Sequence, residues 1–261
     1  HDQAGNYPAA FKAYSAALKL EPGSAELLRL HGYTLYQLRR QADALPSLRK
    51  ALALAPRDTR IADLLVRCLL ETGALTEAVE AATAFAQTCE GEPESRVILA
   101  RALNRAGRYP DARKLLEETL VAHPGHFSSL MLLGSICGDG DRRTATEAYR
   151  AAAAARPDSW VAADNLIFSL SRARYDSETQ HLEDAYRLAL DFLARFPGQV
   201  LPAARNLRTT FGRMLDLENF DRSGTLRELL PRWQDAGEHS AVHYELGQVH
   251  SLEDRLALVE W

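Results

Sequence analysis

The chain has 261 residues, 46% of them hydrophobic and 25% charged, with a formal net charge of −4 and a pI near 6.1. That apolar content excludes disorder across the body, and the lack of a basic excess argues against a general nucleic-acid or membrane binder. No apolar run approaches the ~20 residues that span a bilayer, and the opening HDQAGNYP is not a signal peptide. Cys68, Cys89 and Cys137 are odd in number and lack CxxC spacing. They predict neither a zinc site nor a disulfide framework, but small buried thiols in a reducing, cytoplasmic setting.

Taken in order, the chain repeats itself. Ala10, Ala44, Ala78 and Ala112 recur every 34 residues, as do Pro22 and Pro56, and Pro124 follows Pro56 after two such intervals. Self-similarity at this period predicts stacked helix-turn-helix repeats and an all-α fold. Residues 1–22 supply, through Gly5, Tyr7, Ala10, Tyr14, Ala17 and Pro22, only the turn and second helix of a repeat. Its first helix is missing. Complete repeats are expected at 25–58, 59–92 and 93–126. In the first of these Gly32 falls within the leading helix, and Ala44, Leu48 and Ala51 share a face of the second. The next keeps Leu65, Leu69, Gly73, Ala78, Ala82 and Phe85, with CEGEPES replacing the closing proline. The third keeps Leu99, Ala100, Leu103, Gly107, Tyr109, Ala112, Leu116 and Pro124. Small residues at these places let helices approach closely.

The repeat at 127–159 keeps Leu133-Gly134, Ala145, Tyr149, Ala152 and Pro157 but closes one residue early, a loss assigned to the turn GDGDRR. From Trp160 to about Gln199 the frame holds at Leu166, Leu170, Ala185, Ala189, Phe192 and Pro197, with RARYDSETQHLED between the helices. That connection is about six residues longer than its counterparts and is expected to be a solvated spacer. From Val200 the frame decays. A helix through about Leu217 and another through about Trp233 still make a hairpin, with Pro231 bending or shortening the second. A repeat-like pattern around Leu246-Gly247 then stops at Trp261. The expected organisation is a partial repeat at 1–22, an array of five repeats over 25–199, and degenerate repeat-like helices over 200–261 ending in a truncated repeat. Both ends read as a piece of something longer.

Leu28, His31-Gly32, Leu35, Ala44, Leu48, Ala51 and Pro56 resemble the tetratricopeptide repeat (TPR) pattern, with His31 standing where that family prefers Leu. The resemblance covers nearly the whole chain. It implies a right-handed α-solenoid of about seven helical hairpins, incomplete at each end, and a concave groove lined by the second, fifth, ninth, twelfth and thirteenth residues of each repeat. Carried onto this sequence, the groove would present Glu26, Arg29, Tyr33, Tyr36 and Gln37, then Arg60, Asp63, Arg67, Leu70 and Glu71. Glu94, Val97, Arg101, Asn104 and Arg105 follow, and the last two repeats add Met131, Ser135, Asp164, Phe168 and Arg172.

Arg60, Arg67, Arg101 and Arg105 are expected to face one channel, where guanidinium groups would take an acidic element of a peptide while Tyr33, Tyr36 and Phe168 cover its apolar side chains. The competing reading pairs these arginines internally with Asp63, Glu71 and Glu94. Two specialisations of the family are disfavoured. Capture of a chaperone tail wants Asn where Tyr33 stands. The asparagine ladder of a glycosyltransferase superhelix meets Leu30, Leu64, Ile98 and Leu132, with only Asn165 matching.

No catalytic triad, phosphate loop or dinucleotide pattern is present. Gly138-Asp139-Gly140-Asp141 lacks the further ligands of a calcium loop and reads as a tight turn. His239, His243 and His250, with Glu238 or Glu245, suggest a metal set, but without HExxH they read as ordinary exposed histidines. No metal or cofactor is expected. The implied function is a noncatalytic scaffold that binds a protein or peptide segment in its groove, with no nucleic-acid or membrane partner. Self-association through the terminal repeats is a further reading. The alternative is the substrate-recruiting portion of a larger modifying enzyme of glycosyltransferase or sulfotransferase type.

Overall fold

In the computed structural model residues 6–138 and 140–236 are described, and every regular element among them is a helix. The expectations at Gly5, at Asp139, at His239, His243 and His250, and for the terminal truncated repeat lie outside the described residues. The chain divides between Ile136 and Cys137 into two compact units.

The first unit contains α1 (Tyr7–Leu20), α2 (Ala25–Gln37), α3 (Gln41–Leu54), α4 (Thr59–Glu71), α5 (Leu75–Thr88), α6 (Pro93–Arg105), α7 (Tyr109–Ala122) and α8 (Phe127–Cys137), which runs to the boundary. Local chemistry sets the helix starts. The side chains of Asn6, Ser24 and Asp58 accept from backbone N–H groups that the first turn would otherwise leave unpaired. Prolines open α1, α6 and α7, where no N–H is needed.

The reversals are equally regular. Arg39, Gly73 and Gly107 have φ of 59°, 78° and 77°. One residue later, Arg40, Ala74 and Arg108 each donate N–H at 2.9 Å to a carbonyl five residues back, on Leu35, Leu69 and Leu103. This left-handed stop satisfies the last carbonyls of each leading helix and turns the chain into the next.

The buried faces follow the 34-residue period. Ala44, Leu48 and Ala51 on α3, Ala78, Ala82 and Phe85 on α5, and Ala112, Leu116 and Thr119 on α7 are all buried. Gly32 is required for this packing, because a Cβ there would lie 2.6 Å from Leu48 Cδ2. On α1 the corresponding Ala10 is buried while Tyr14 and Ala17 are only half-buried. No leading helix precedes α1 among the described residues. Helix α4 packs against both α2 and α6, so the leading helices stand side by side. Leu64, Leu65, Leu69 and Leu70 of α4 form the centre of the core with Leu35 and Ile98.

The second unit comprises α9 (Arg142–Ala155), α10 (Trp160–Ser171), α11 (Glu178–Arg195), a 3-10 turn at Pro197–Gln199, α12 (Val200–Arg213), α13 (Leu217–Arg222) and α14 (Leu226–Ala236). Three expectations are corrected here and at the boundary. The residue lost from the fifth repeat comes out of the leading helix. Helix α8 has 11 residues where α2, α4 and α6 have 13, and the turn after it is not shortened.

The long connection before α11 is part helix and part spacer: α11 has 18 residues against 14 in α3, α5, α7 and α9, while residues 172–177 remain outside helix, twice the length of the turn at 72–74. Ser177 caps α11 by accepting from Gln180 N–H, so some of the extra residues form an added helical turn.

The break near the end falls at Ser223 to Thr225, between α13 and α14, whereas Pro231 lies within α14. Gly224 has φ 116°, and a Cβ there would meet Leu201 Cδ2 at 2.8 Å. Arg208 on α12 holds this break in place. It is 1% exposed, its Nη1 donates to Gly224 O at 2.6 Å, and its guanidinium carbon lies 3.8 Å from the Phe220 ring centroid. Ile167, Phe192, Leu207, Phe211 and Phe220 form the core beneath it. No described helix is long and apolar enough to cross a membrane.

Candidate peptide-binding groove

The leading helices of the first unit bring together part of the expected site. Arg67 on α4 donates through Nη2 to Tyr36 Oη on α2 at 2.8 Å, and its guanidinium carbon lies 4.7 Å from that ring centroid. Asp63, one turn before Arg67, lies 3.8 Å from Arg67 Nη1 and accepts a hydrogen bond from Arg101 Nη1 on α6. Three adjacent helices thus contribute to one chain of contacts, Tyr36 to Arg67 to Asp63 to Arg101. The arginine side chains remain 44% and 35% exposed, so their outer N–H groups face solvent. Hydrogen bonding and stacking fix where these charges stand without removing them from water.

Arg60 lies two helical turns from Arg67 and belongs to another group. Its fork meets Asp58 at 2.8 Å and lies 3.8 Å from Glu26, while Arg29 binds Glu26 at 2.6 Å. The Asp58 carboxyl is held below its ordinary value by the Arg60 side chain and by the N–H groups that it caps. Tyr33 is half-buried and meets Tyr7 of α1 edge to face at 6.4 Å. Asn104 is half-buried and Arg105 exposed toward the end of α6, and Met131 is half-buried and Ser135 exposed on α8. Leu70 and Val97, assigned to the groove by repeat position, are 6% and 1% exposed and belong to the core. Glu94 accepts from Ser128 Oγ at 2.7 Å and lies 3.2 Å from His126 Nε2.

His31, the departure from the expected Leu, is accounted for by its neighbours. Its Nδ1 pairs with Ser47 Oγ at 3.0 Å and its ring lies 5.2 Å from that of Phe11. Burial, aided by the charge of Arg40, pushes its pKa down.

Asp164 and Phe168 lie on α10 in the second unit. Asp164 accepts from Asn206 Nδ2 at 2.9 Å. Phe168 is covered by guanidinium groups, with the Arg172 and Arg142 carbons 4.3 and 5.5 Å from its centroid. Its ring therefore anchors cations and does not stand open to apolar side chains. Arg142 was not singled out by the repeat pattern because it opens a second helix, and Arg208 was missed because nothing local marks an arginine for burial.

Two-helix hairpins joined by left-handed turns, with polar side chains presented from neighbouring leading helices, define a helical-repeat protein of solenoid type. The tetratricopeptide repeat family pattern matches residues 1–59, 30–93 and 93–136, just over half of the chain, and the protein belongs to that family. No curated protein matches the chain. Among solved structures it is similar to TTC0263, a thermophilic TPR protein of Thermus thermophilus, at 18% identity and a TM-score of 0.55, over 72% of this chain and 99% of that one. PilW, described as a widely conserved type IV pilus biogenesis factor, aligns at 16% identity and 0.55 over 75% and 88%. The pilF protein of Pseudomonas aeruginosa aligns at 18% and 0.54 over 75% and 87%. At these identities the likeness is one of fold.

Proposed function

We propose that the protein is a noncatalytic interaction scaffold whose first unit binds a peptide segment of a partner across α2, α4 and α6. The observation that carries this reading is the convergence of Arg67 and Arg101, from neighbouring helices, on the single carboxylate of Asp63. A partly exposed ion pair contributes only about 0–1 kcal/mol. An acidic group of the partner can therefore replace or share Asp63 at little cost. Tyr36 already fixes Arg67, so less side-chain freedom is lost on association.

Arg29, Arg60, Asn104, Arg105 and Met131 extend the surface at its two ends, and Tyr33 supplies apolar contact. Such an acidic peptide would be met in the cytoplasm, where the three buried thiols stay reduced. The test is a pulldown from lysate with mass spectrometry, then peptide mapping and affinity measurement with Arg67→Ala/Arg101→Ala. Loss of at least about tenfold in affinity at unchanged helicity is expected. An unchanged affinity rejects the groove.

A further inference from the structure

One repeat of the first unit departs from the others at two places, and the departures meet. Residues 28, 62, 96 and 130 are equivalent by the 34-residue period. Leu28, Ala62 and Leu130 are buried there, whereas Arg96 on α6 is a half-buried cation. Where Pro22, Pro56 and Pro124 close their repeats, the equivalent residue is Glu90, followed by Gly91 with φ 85°. Both charged residues line a single cleft of about 330 Å³ between α5, α6 and α7, with Ala86, Leu99 and Leu115 as its apolar wall. The two charges do not satisfy each other. Among the described residues, neither the Arg96 nor the Glu90 side chain enters a hydrogen bond or an ion pair. The turn that carries Glu90 is fixed from beneath: buried Ser95 donates through Oγ to Glu92 O at 2.7 Å, and Glu92 N–H donates to Cys89 O at 3.1 Å. Thr83, also on the wall, spends its hydroxyl on Val79 O at 2.7 Å. Arg96 and Leu99 precede Arg101 by five and two residues. At about 3.6 residues per turn that is roughly half a turn, so the cleft lies on the side of α6 turned away from the groove.

We propose that this cleft binds a free α-amino acid with an aliphatic side chain, taken as the zwitterion. A guanidinium at a core-facing position is costly while it has no counter-charge, and the ligand carboxylate supplies one through a forked pair of hydrogen bonds. Glu90 repels a simple anion and Arg96 repels a simple cation. A ligand that carries both charges satisfies both residues, its ammonium group donating to the Glu90 carboxylate. Ala86, Leu99 and Leu115 then cover the aliphatic side chain. The volume stands at the low end of the roughly 300–1,000 Å³ of ligand pockets, which suits a molecule of this size. Breaks in an otherwise consistent local pattern concentrate at functional sites, and here two of them share one cavity.

The test is calorimetric titration of the full chain with L-leucine, glycine, N-acetyl-L-leucine and L-leucinamide. Leucine is expected to bind at one site per chain. Glycine lacks the aliphatic group, the acetylated form lacks the ammonium and the amide lacks the carboxylate, so each binds at least about tenfold more weakly. Arg96→Gln weakens leucine binding by at least about tenfold at unchanged helicity. Glu90→Gln also weakens leucine and removes its advantage over N-acetyl-L-leucine. Lys12→Gln, on the exposed surface of α1, leaves binding unchanged. The comparison of ligands is made on the parent protein and stands even where a variant fails to fold. Absence of leucine binding overturns the proposal, as does unchanged affinity in both cleft variants. N-acetyl-L-leucine binding as tightly as leucine would assign the cleft to the carboxyl end of a peptide, and equal binding of leucinamide would remove Arg96 from recognition; either result overturns the zwitterion.

Discussion

Arg39 occupies with φ 59° the turn position filled by Gly73 and Gly107 in the next two repeats. A side chain in the left-handed region costs on the order of 1–2 kcal/mol, partly offset because glycine loses more freedom on folding. Arg39 is exposed. Arg39→Gly is therefore expected to raise stability by about 0.5–1 kcal/mol, read as a higher urea midpoint. His31 makes a second prediction at this scale. Its pKa in the folded chain lies below the ordinary 6.5, so as pH falls the unfolded chain takes up the proton first. The stability tied to the neutral ring is complete above about pH 6.5 and declines as the pH drops below it. The fall in urea midpoint between about pH 7.5 and 5.5 should be smaller in His31→Leu than in the parent. An equal fall in both proteins would remove His31 as the cause.

Individual elements show how close packing depends on small residues. Gly32 lets α2 settle on Leu48 of α3, and Gly32→Ala forces a Cβ to within 2.6 Å of that side chain. Overpacking of this kind costs about 1–3 kcal/mol, more than the roughly 1 kcal/mol that alanine gains in helix propensity. A net loss of up to about 2 kcal/mol is expected. Because repeats depend on their nearest neighbours, amide exchange should quicken in α2, α3 and α4 and change least in α7. In the second unit the same scale is governed by Arg208. Arg208→Met keeps the length of the side chain but leaves Gly224 O without its donor and empties a charged site over Phe220. A loss of about 2–4 kcal/mol is expected. Thermal melting with circular dichroism would register it, and an unchanged midpoint would show that the break between α13 and α14 is held by its apolar contacts alone.

Across the whole molecule the three cysteines are buried thiols, one on α4, one just after α5 and one at the end of α8. Burial pushes the Cys68 thiol up to about 12, far from reactivity near neutral pH. The native chain should consume almost no thiol reagent at about pH 8, and three equivalents once unfolded. Rapid labelling without denaturant would mean that one of these helices opens readily.

The helices and their buried faces were legible before any coordinates, because both depend on spacing within a few residues and on a period of 34. Ala44, Leu48, Ala78, Ala82, Ala112 and Leu116 all lie where the repeat puts them. Position alone misassigned Leu70 and Val97, since a place that faces outward in one repeat is taken into the core when its side chain is apolar. The insertion before α11 was read only in part, because added residues lengthened both the loop and the capped helix that follows it.

Which charges meet was legible only in part: Asp63 was named as an internal partner of the groove arginines, but not which of them reach it. Arg101 reaches Asp63 across 38 residues of chain, Arg142 and Arg172 come to one ring from separate turns, and Arg208 is buried where its donors find backbone carbonyls. Helix formation answers to neighbours along the chain. Pairing of long polar side chains answers to distances that exist only after the helices have packed.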